Sequence, residues 1–315
     1  MNEFSSFSQN EKSINSTNFI HLSPININSF SSNQNKISEP LSEGSNGQTQ
    51  SYTGTQSFGF IGIKDKLGKK NGFGIQKYKN SSIYKGNFIN GKSSGWGIFY
   101  LSDGDIHKGY YENGITKGYG EYYHKKEVIY YGYFYDDIQQ GIGYEIWTKS
   151  SKYLGNYKNG KKDGIGTYIW EDGTKYKGEW KENNMEGFGI YYFKDGKKYK
   201  GQFKNNVING YGEFTWVEGK KYFGFYQKGK KDGFGIYYWP KKKFFLGFFK
   251  EGKQHGISKY INGNQIKFNR WKNGKKEQIF SNEEIFFNYF EPKEKPFLSF
   301  FKWDIKKIKE FMEIV

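Results

Sequence analysis

Glycine recurs every 23 residues in this chain, at Gly72, Gly95, Gly118, Gly141, Gly164, Gly187, Gly210, Gly233 and Gly256, and each of the first eight opens a Gly-x-Gly pair. A fixed spacing of this size means that one small supersecondary unit has been stacked, each copy unable to bury its own apolar side. The architecture expected is an elongated repeat array rather than a globule.

Each repeat is counted from its first glycine as position 0. Position 2 is Gly in all eight full repeats, and so is position 14, at Gly86, Gly109, Gly132, Gly155, Gly178, Gly201, Gly224 and Gly247. Position 19 instead mixes Gly91, Gly114, Gly160, Gly229 and Gly252 with Asn183, Asn206 and Asp137, residues that tolerate a left-handed turn. A column closed even to Asn needs the missing Cβ, so rings are expected over positions 2 and 14. Position 16 is aromatic from Phe88 to Phe249, position 12 is Tyr or Phe except at His107, and positions 4 and 6 are mostly Tyr, Phe or Trp. Alternation of this kind predicts strands. Between them, Asp103-Gly104, Asp172-Gly173, Asp195-Gly196 and Glu218-Gly219 read as two-residue hairpin turns. The fold class expected is all-β: a single-layer antiparallel meander, one hairpin per repeat, with a C-terminal amphipathic helix. At roughly 9.5 Å per hairpin, eight of them make a ribbon about 75 Å long.

The segment Gly164-Ile-Gly-Thr-Tyr-Ile-Trp-Glu-Asp-Gly-Thr-Lys-Tyr-Lys-Gly-Glu-Trp180 resembles the MORN (membrane occupation and recognition nexus) repeat, G-x-G-x-Y-x-W-x-D-G-x-x-Y-x-G-x-W. The resemblance covers eight repeats over 72–255, a partial leading repeat over 58–71 (Phe60, Gly62, Gly68) and a worn capping repeat over 256–278, where Ser258 replaces the second glycine. It implies a non-catalytic scaffold that binds proteins within a larger assembly, commonly dimeric, in cytoskeletal, ciliary or axonemal settings or beside membranes. It also implies an accessory role to a separate enzyme such as a lipid kinase as one alternative, and names no partner.

The flanks differ from the array. Residues 1–57 are rich in Ser, Asn and Gln and read as a disordered arm, too poor in large apolar residues to offset ordering entropy. No apolar run is long enough to span a bilayer and no signal-like start is visible, so an intracellular, cytoplasmic protein is expected, and the resemblance implies association with the cytoskeleton. The absence of Cys excludes disulfides, thiolate metal sites and a Cys nucleophile. The net charge of +17 is almost all Lys, Arg270 being the one arginine. Such a surface suits anionic lipid or nucleic acid, yet bidentate phosphate recognition favours Arg, and a Lys, Asn and Ile bias also follows from AT-rich coding.

If the repeat is the frame, function belongs where copies differ, on the reverse face at positions 13, 15 and 17. Repeats 5 and 6 place Lys177, Glu179, Lys181, Lys200, Gln202 and Lys204 there, a wet face. Repeat 3 places Tyr131, Tyr133 and Tyr135 there, with Tyr123 and Tyr110 on the same face by alternation. These five tyrosines are the expected partner surface, for another protein, a second copy in a homodimer, or the chain's own segment near 50–60. Repeats 7 and 8 place Phe223, Phe225, Leu246 and Phe248 on that face, and something apolar is expected to cover them. The C-terminal segment 279–315 supplies a candidate. Ser281 and Glu284 read as a capping box, and Phe297, Phe301, Ile305, Ile308, Met312 and Val315 fall at helical spacing after Pro296. This helix either folds back on repeats 7 to 9 or docks on a membrane or partner.

Lys161, Lys162, Lys230, Lys231 and Lys253 are expected in loops after position 19, as an anionic phospholipid-binding row or as charges that block edge pairing. No cofactor or metal is expected. The Gly-x-Gly pairs precede strands and lack a phosphate-loop ending, the turn aspartates make no calcium loop, and His107 and His124 stand in ring columns. The aromatic columns are already needed to build the sheet, so nucleic acid is not an expected partner.

Overall fold

The computed structural model describes residues 57–315 apart from Lys126, Lys149 and Val315. The Ser- and Asn-rich arm, apart from Ser57, lies outside the described residues, as does Val315 of the expected helix. Among the described residues, strands from Ser57–Lys64 to Lys275–Phe280 run as one antiparallel meander sheet. The chain divides into two compact units between Gly189 and Ile190, inside the strand Asn184–Tyr192.

Two kinds of turn alternate along the meander. At positions 18 and 19 both residues have positive φ, 51° and 85° at Asn90-Gly91, 52° and 93° at Asn113-Gly114, 48° and 65° at Asn205-Asn206. This is the two-residue turn whose twist matches that of paired strands. The Asp-Gly pairs do not form it. Between Tyr100 and Ile106 the chain makes a longer loop, closed by Leu101 N–H donating to the Asp105 carbonyl at 2.9 Å, and within it Gly104 alone has positive φ, at 96°. The Asp103 carboxylate accepts from Asp105 N at 3.2 Å, so the aspartate shapes the loop by a local hydrogen bond.

In the unit described over 57–189, position-12 rings lie over the invariant glycines. A Cβ on Gly155 would stand 2.5 Å from the Tyr153 hydroxyl oxygen, and one on Gly166 would stand 2.6 Å from the same ring. The tyrosines of this column also donate their hydroxyls three residues onward, Tyr130 to the Tyr133 carbonyl at 3.1 Å and Tyr153 to that of Asn156 at 3.0 Å. Rings of successive repeats meet edge to face, Tyr84 with Tyr111 at 5.1 Å, Tyr130 with Tyr157 at 5.2 Å, Tyr153 with Trp180 at 5.4 Å. Such pairs contribute about 0.5–1.5 kcal/mol each beyond their burial. Phe60 of the leading partial repeat lies over Gly74 in the same manner and meets Phe88 at 5.3 Å. His107 fills the column in repeat 2, edge-on to Phe134 at 4.9 Å, with Nδ1 2.6 Å from the Tyr111 hydroxyl. Burial pushes its pKa down to about 3.

The lysines predicted in loops begin strands instead, at Lys161–Ile169, Lys230–Trp239 and Lys253–Asn262. The tight turn takes only positions 18 and 19, so position 20 already pairs and position 21 points among the rings. Lys161, Lys230 and Lys253 are exposed, whereas Lys162 is buried with Nζ 3.3 Å from Glu145 and 4.8 Å from the Trp147 ring centre. Lys231, half-buried, lies 5.1 Å from the Tyr222 ring centre, and burial lowers its pKa to about 8. The five do not form one exposed row.

In the unit described over 190–315, the expected single C-terminal helix is broken. Helix α1 spans Glu283–Phe287, a 3-10 turn spans Lys295–Phe297, α2 spans Leu298–Phe301 and α3 spans Ile305–Ile314. Asp304 accounts for the break, its carboxylate accepting from Lys307 N at 2.8 Å and starting α3 anew. Asn282 rather than Ser281 caps α1, accepting from Ile285 N at 2.8 Å, and the last strand runs to Phe280, past the expected boundary at 278. The flank does fold back on the repeats. Phe301 and Ile308 are fully buried in one cluster with Phe234, Leu246, Phe248 and Ile257, and Lys259 Nζ donates to the Phe301 carbonyl at 2.7 Å.

Candidate partner-binding surface

Cross-strand register places the reverse face of repeats 2 and 3 residue by residue. Trp96 stands opposite Tyr110, Tyr119 opposite Tyr133, Glu121 opposite Tyr131, Tyr123 opposite Ile129, and Tyr131 opposite Tyr144. The five tyrosines expected from alternation, Tyr110, Tyr123, Tyr131, Tyr133 and Tyr135, therefore share one face. Trp96, Tyr119 and Tyr144 share it too. They sit at positions 1 and 3 of their repeats, outside the positions 13, 15 and 17 used to define the face, although strict alternation from position 2 would have found them.

The rings form pairs. Trp96 meets Tyr110 edge to face at 5.2 Å and Tyr119 meets Tyr133 at 6.2 Å; Tyr123 meets Tyr131 at 6.4 Å, and Tyr131 stacks on Tyr144 at 6.5 Å. Tyr110, Tyr119 and Tyr133 retain 52%, 43% and 55% of their accessible surface, and Ile142 beside them retains 62%. A polar border surrounds them. Lys108 Nζ lies 4.5 Å from the Tyr123 ring centre and 3.5 Å from the Glu121 carboxylate, which accepts the Tyr123 hydroxyl at 2.7 Å and so raises that phenol's pKa. Lys117 pairs with Glu112 at 2.6 Å. Exposed aromatic pairs with a charged rim suit a protein surface that loses water on docking.

The local backbone is as informative as the rings. Register jumps from Gly109 opposite Gly120 to Tyr111 opposite Thr116, so residues 117–119 face Tyr110 alone across a bulge. The opening glycines take the left-handed geometry this requires, with φ of 99° at Gly118 and 77° at Gly141. At several bulges a carboxylate or amide oxygen accepts the amide of position 1. Glu179 accepts from Phe188 N and Gln202 from Tyr211 N, both at 2.8 Å. Glu294 of the C-terminal flank accepts from Ile257 N at 3.4 Å.

Among the described residues there is no group of three His, Asp or Glu side chains placed to hold a metal ion. His124 Nδ1 is engaged by Asp105 at 2.9 Å. Among the described residues no helix is long and apolar enough to cross a membrane, and the buried sides of α2 and α3 are already occupied by the sheet.

Comparison with known proteins adds a sequence family. The MORN repeat model matches residues 66–83, 84–106, 153–175, 176–198, 199–221 and 222–243. The matched copies bracket 107–152, the segment that carries His107 and the exposed tyrosines. No curated protein sequence matches the chain. Among solved structures, the TCP10 domain of Danio rerio CPAP in complex with a peptide of Danio rerio STIL is 11% identical, with 71% of this chain and 100% of that chain covered, at a TM-score of 0.43. The SAS-4 (dCPAP) TCP domain of Drosophila melanogaster, in complex with a proline-rich motif of Ana2 (dSTIL), is 15% identical, with 51% and 86% covered, at a TM-score of 0.32. Likeness of this degree bears on neither fold nor partner here.

Proposed function

Because the chain belongs to the MORN-repeat family, we propose that it is a non-enzymatic scaffold which holds a protein partner on the aromatic reverse face of repeats 2 and 3, within a cytoskeletal assembly. The observation that carries this reading is the cluster of exposed ring pairs, Trp96 with Tyr110 and Tyr119 with Tyr133, on a sheet face whose position 15, Tyr110 and Tyr133 here, is Glu179 and Gln202 in repeats 5 and 6. A solvated strand face has no use for paired rings, whereas interface cores are enriched in Tyr and Trp. The cytoskeletal setting, ciliary or axonemal, is what the family resemblance favours.

The test is a proximity-labelling or pull-down comparison in the native cell between the wild-type chain and one carrying Tyr110→Ser, Tyr119→Ser and Tyr133→Ser. Loss of a discrete set of partners is expected, with the thermal midpoint little changed because exposed side chains hold little of the fold. An unchanged partner set would remove repeats 2 and 3 from the reading.

A further inference from the structure

At two junctions between successive repeats the same three positions are all aromatic, once covered and once open. In repeats 7 and 8, Phe225 (position 15), Phe234 (position 1) and Phe248 (position 15) enclose Phe297 of the flank, at 6.5, 5.0 and 5.5 Å, with Phe234 stacked on it. Three residues before Phe297, the Glu294 carboxylate lies over Gly256 and accepts from the amide of Ile257, position 1 of the next repeat. Glu294 and Phe297 are spaced by one turn, Lys295–Phe297 being 3-10 helix. The equivalent positions in repeats 2 and 3 are Tyr110, Tyr119 and Tyr133, followed by Gly141 and Ile142. There the ring triad is exposed, and the nearest atom that a Cβ on Gly141 would meet is Tyr133 Cβ at 3.9 Å. Phe234 and Phe248, under the flank, keep only 6% and 9% of their surface.

We infer that the occupant of repeats 2 and 3 is a segment of a separate protein, folded as one helical turn, that carries a carboxylate three residues before an aromatic ring. The ring enters between Tyr110, Tyr119 and Tyr133, as Phe297 does between its three phenylalanines. The carboxylate settles over Gly141 beside the Ile142 amide, as Glu294 does over Gly256. Tyrosines in place of phenylalanines keep the stacking surface and add hydroxyls, which suits a site that is wet until its partner arrives. The chain's own arm does not carry the pattern: none of Glu3, Glu11, Glu39 and Glu43 has an aromatic residue three places on. A net charge of +17 also draws in an acidic partner. The inference rests on the reading of this face as a protein-binding surface and adds the chemistry of what it binds.

The probe is a fluorescein-labelled synthetic peptide of this chain's own residues 289–303, titrated by anisotropy against the full chain. Saturable binding is expected. It should weaken about tenfold or more when Tyr110, Tyr119 and Tyr133 become Ser, persist when they become Phe, and weaken severalfold when the peptide carries Glu294→Gln or Phe297→Ala. A benzoylphenylalanine at peptide position 297 should crosslink the wild-type chain within 110–142, a readout that needs no variant to fold. Crosslinks confined to 223–257 would show displacement of the chain's own flank and overturn the inference, as would equal affinity for the Ser variant. A concentration-dependent dimer lost in the Ser variant would seat a second copy there instead, and binding that appears only after deletion of residues 1–56 would make the arm the occupant; either outcome overturns a separate partner. If the peptide fails while the native partner set is still lost with the tyrosines, this chemistry falls and the scaffold reading stands. Failure of both removes both.

Discussion

A single column of rings shows how much one residue decides. Tyr at position 12 fills the space over two glycines and donates its hydroxyl to the carbonyl of position 15, as Tyr153 does to Asn156 at 3.0 Å. His107 fills the same space, leaves Nε2 buried without a partner, and is held neutral by burial, its pKa pushed down to about 3. His107→Tyr exchanges the Nδ1 bond with Tyr111 for one to the position-15 carbonyl and removes the unpartnered Nε2, so it is expected to stabilise the fold by about 1 kcal/mol at neutral pH. Acid should widen the difference. The unfolded chain binds a proton at this histidine below about pH 6.5 and the folded chain does not until about pH 3, so wild-type stability falls as pH drops through that window. The variant lacks this loss, and the gap should grow by up to about 1.4 kcal/mol per pH unit. Urea titrations of both proteins at several pH values between 7 and 4 measure it, and a constant gap would show that the imidazole is not desolvated. The glycines under the rings were readable from sequence because no other residue appears in their column. The opening glycines were visible as a period and opaque in purpose, since the bulge that demands φ of 77° at Gly141 depends on a pairing register no single repeat displays.

At the scale of elements, the strands were legible and their ends were not. Alternating rings identify a strand whatever its partner, but the choice of tight turn depends on which two residues can both adopt positive φ. Asn90-Gly91 can; Asp103, fastened to Asp105 N by its own carboxylate, leaves the left-handed geometry to Gly104. That displacement moved Lys162 and Lys231 from an imagined loop into the ring face, where Lys162 meets Glu145. The C-terminal segment shows the complementary limit. Helical spacing from Phe297 to Ile308 was real, and Phe301 and Ile308 are buried, but spacing does not reveal that Asp304 restarts the helix. Phe301 touches Phe234, Phe248, Phe286 and Phe290. Phe301→Ala is expected to cost about 3–5 kcal/mol and to raise amide exchange in the strands Lys230–Trp239 and Lys243–Lys250 beneath it. Exchange unchanged in those strands, with the flank still in place, would show that the sheet does not depend on its cover.

For the whole molecule, the 23-residue period makes a demand that can be tested by removing one repeat. Contacts recur at fixed positions: the position-12 ring meets the position-16 ring of the next repeat, as Tyr130 meets Tyr157 and Tyr153 meets Trp180. The side chain at position 22 accepts the amide at position 18 of the next repeat, Gln140 from Asn159 at 3.0 Å and Asp163 from Glu182 at 3.3 Å. Repeat 4 also holds both members of its buried ion pair. Tyr157 donates to Glu145 at 2.7 Å and Lys162 Nζ lies 3.3 Å from Glu145, so deletion of 141–163 removes acid, cation and phenol together. Tyr130 would then meet Trp180, Gln140 would accept from Glu182, and Gly164 would follow Gln140 in register. In a repeat array each copy contacts only its neighbours, so this deletion is expected to leave strand content per residue unchanged by circular dichroism and the thermal midpoint within a few degrees. Deleting 142–163 instead leaves one residue too many. Side chains alternate with period two, so that single residue turns the following strand's rings to the wrong face, and a large drop in midpoint or aggregation is expected. Equal behaviour of the two deletions would mean that the glycine period is a relic of duplication and does not set the register of the fold.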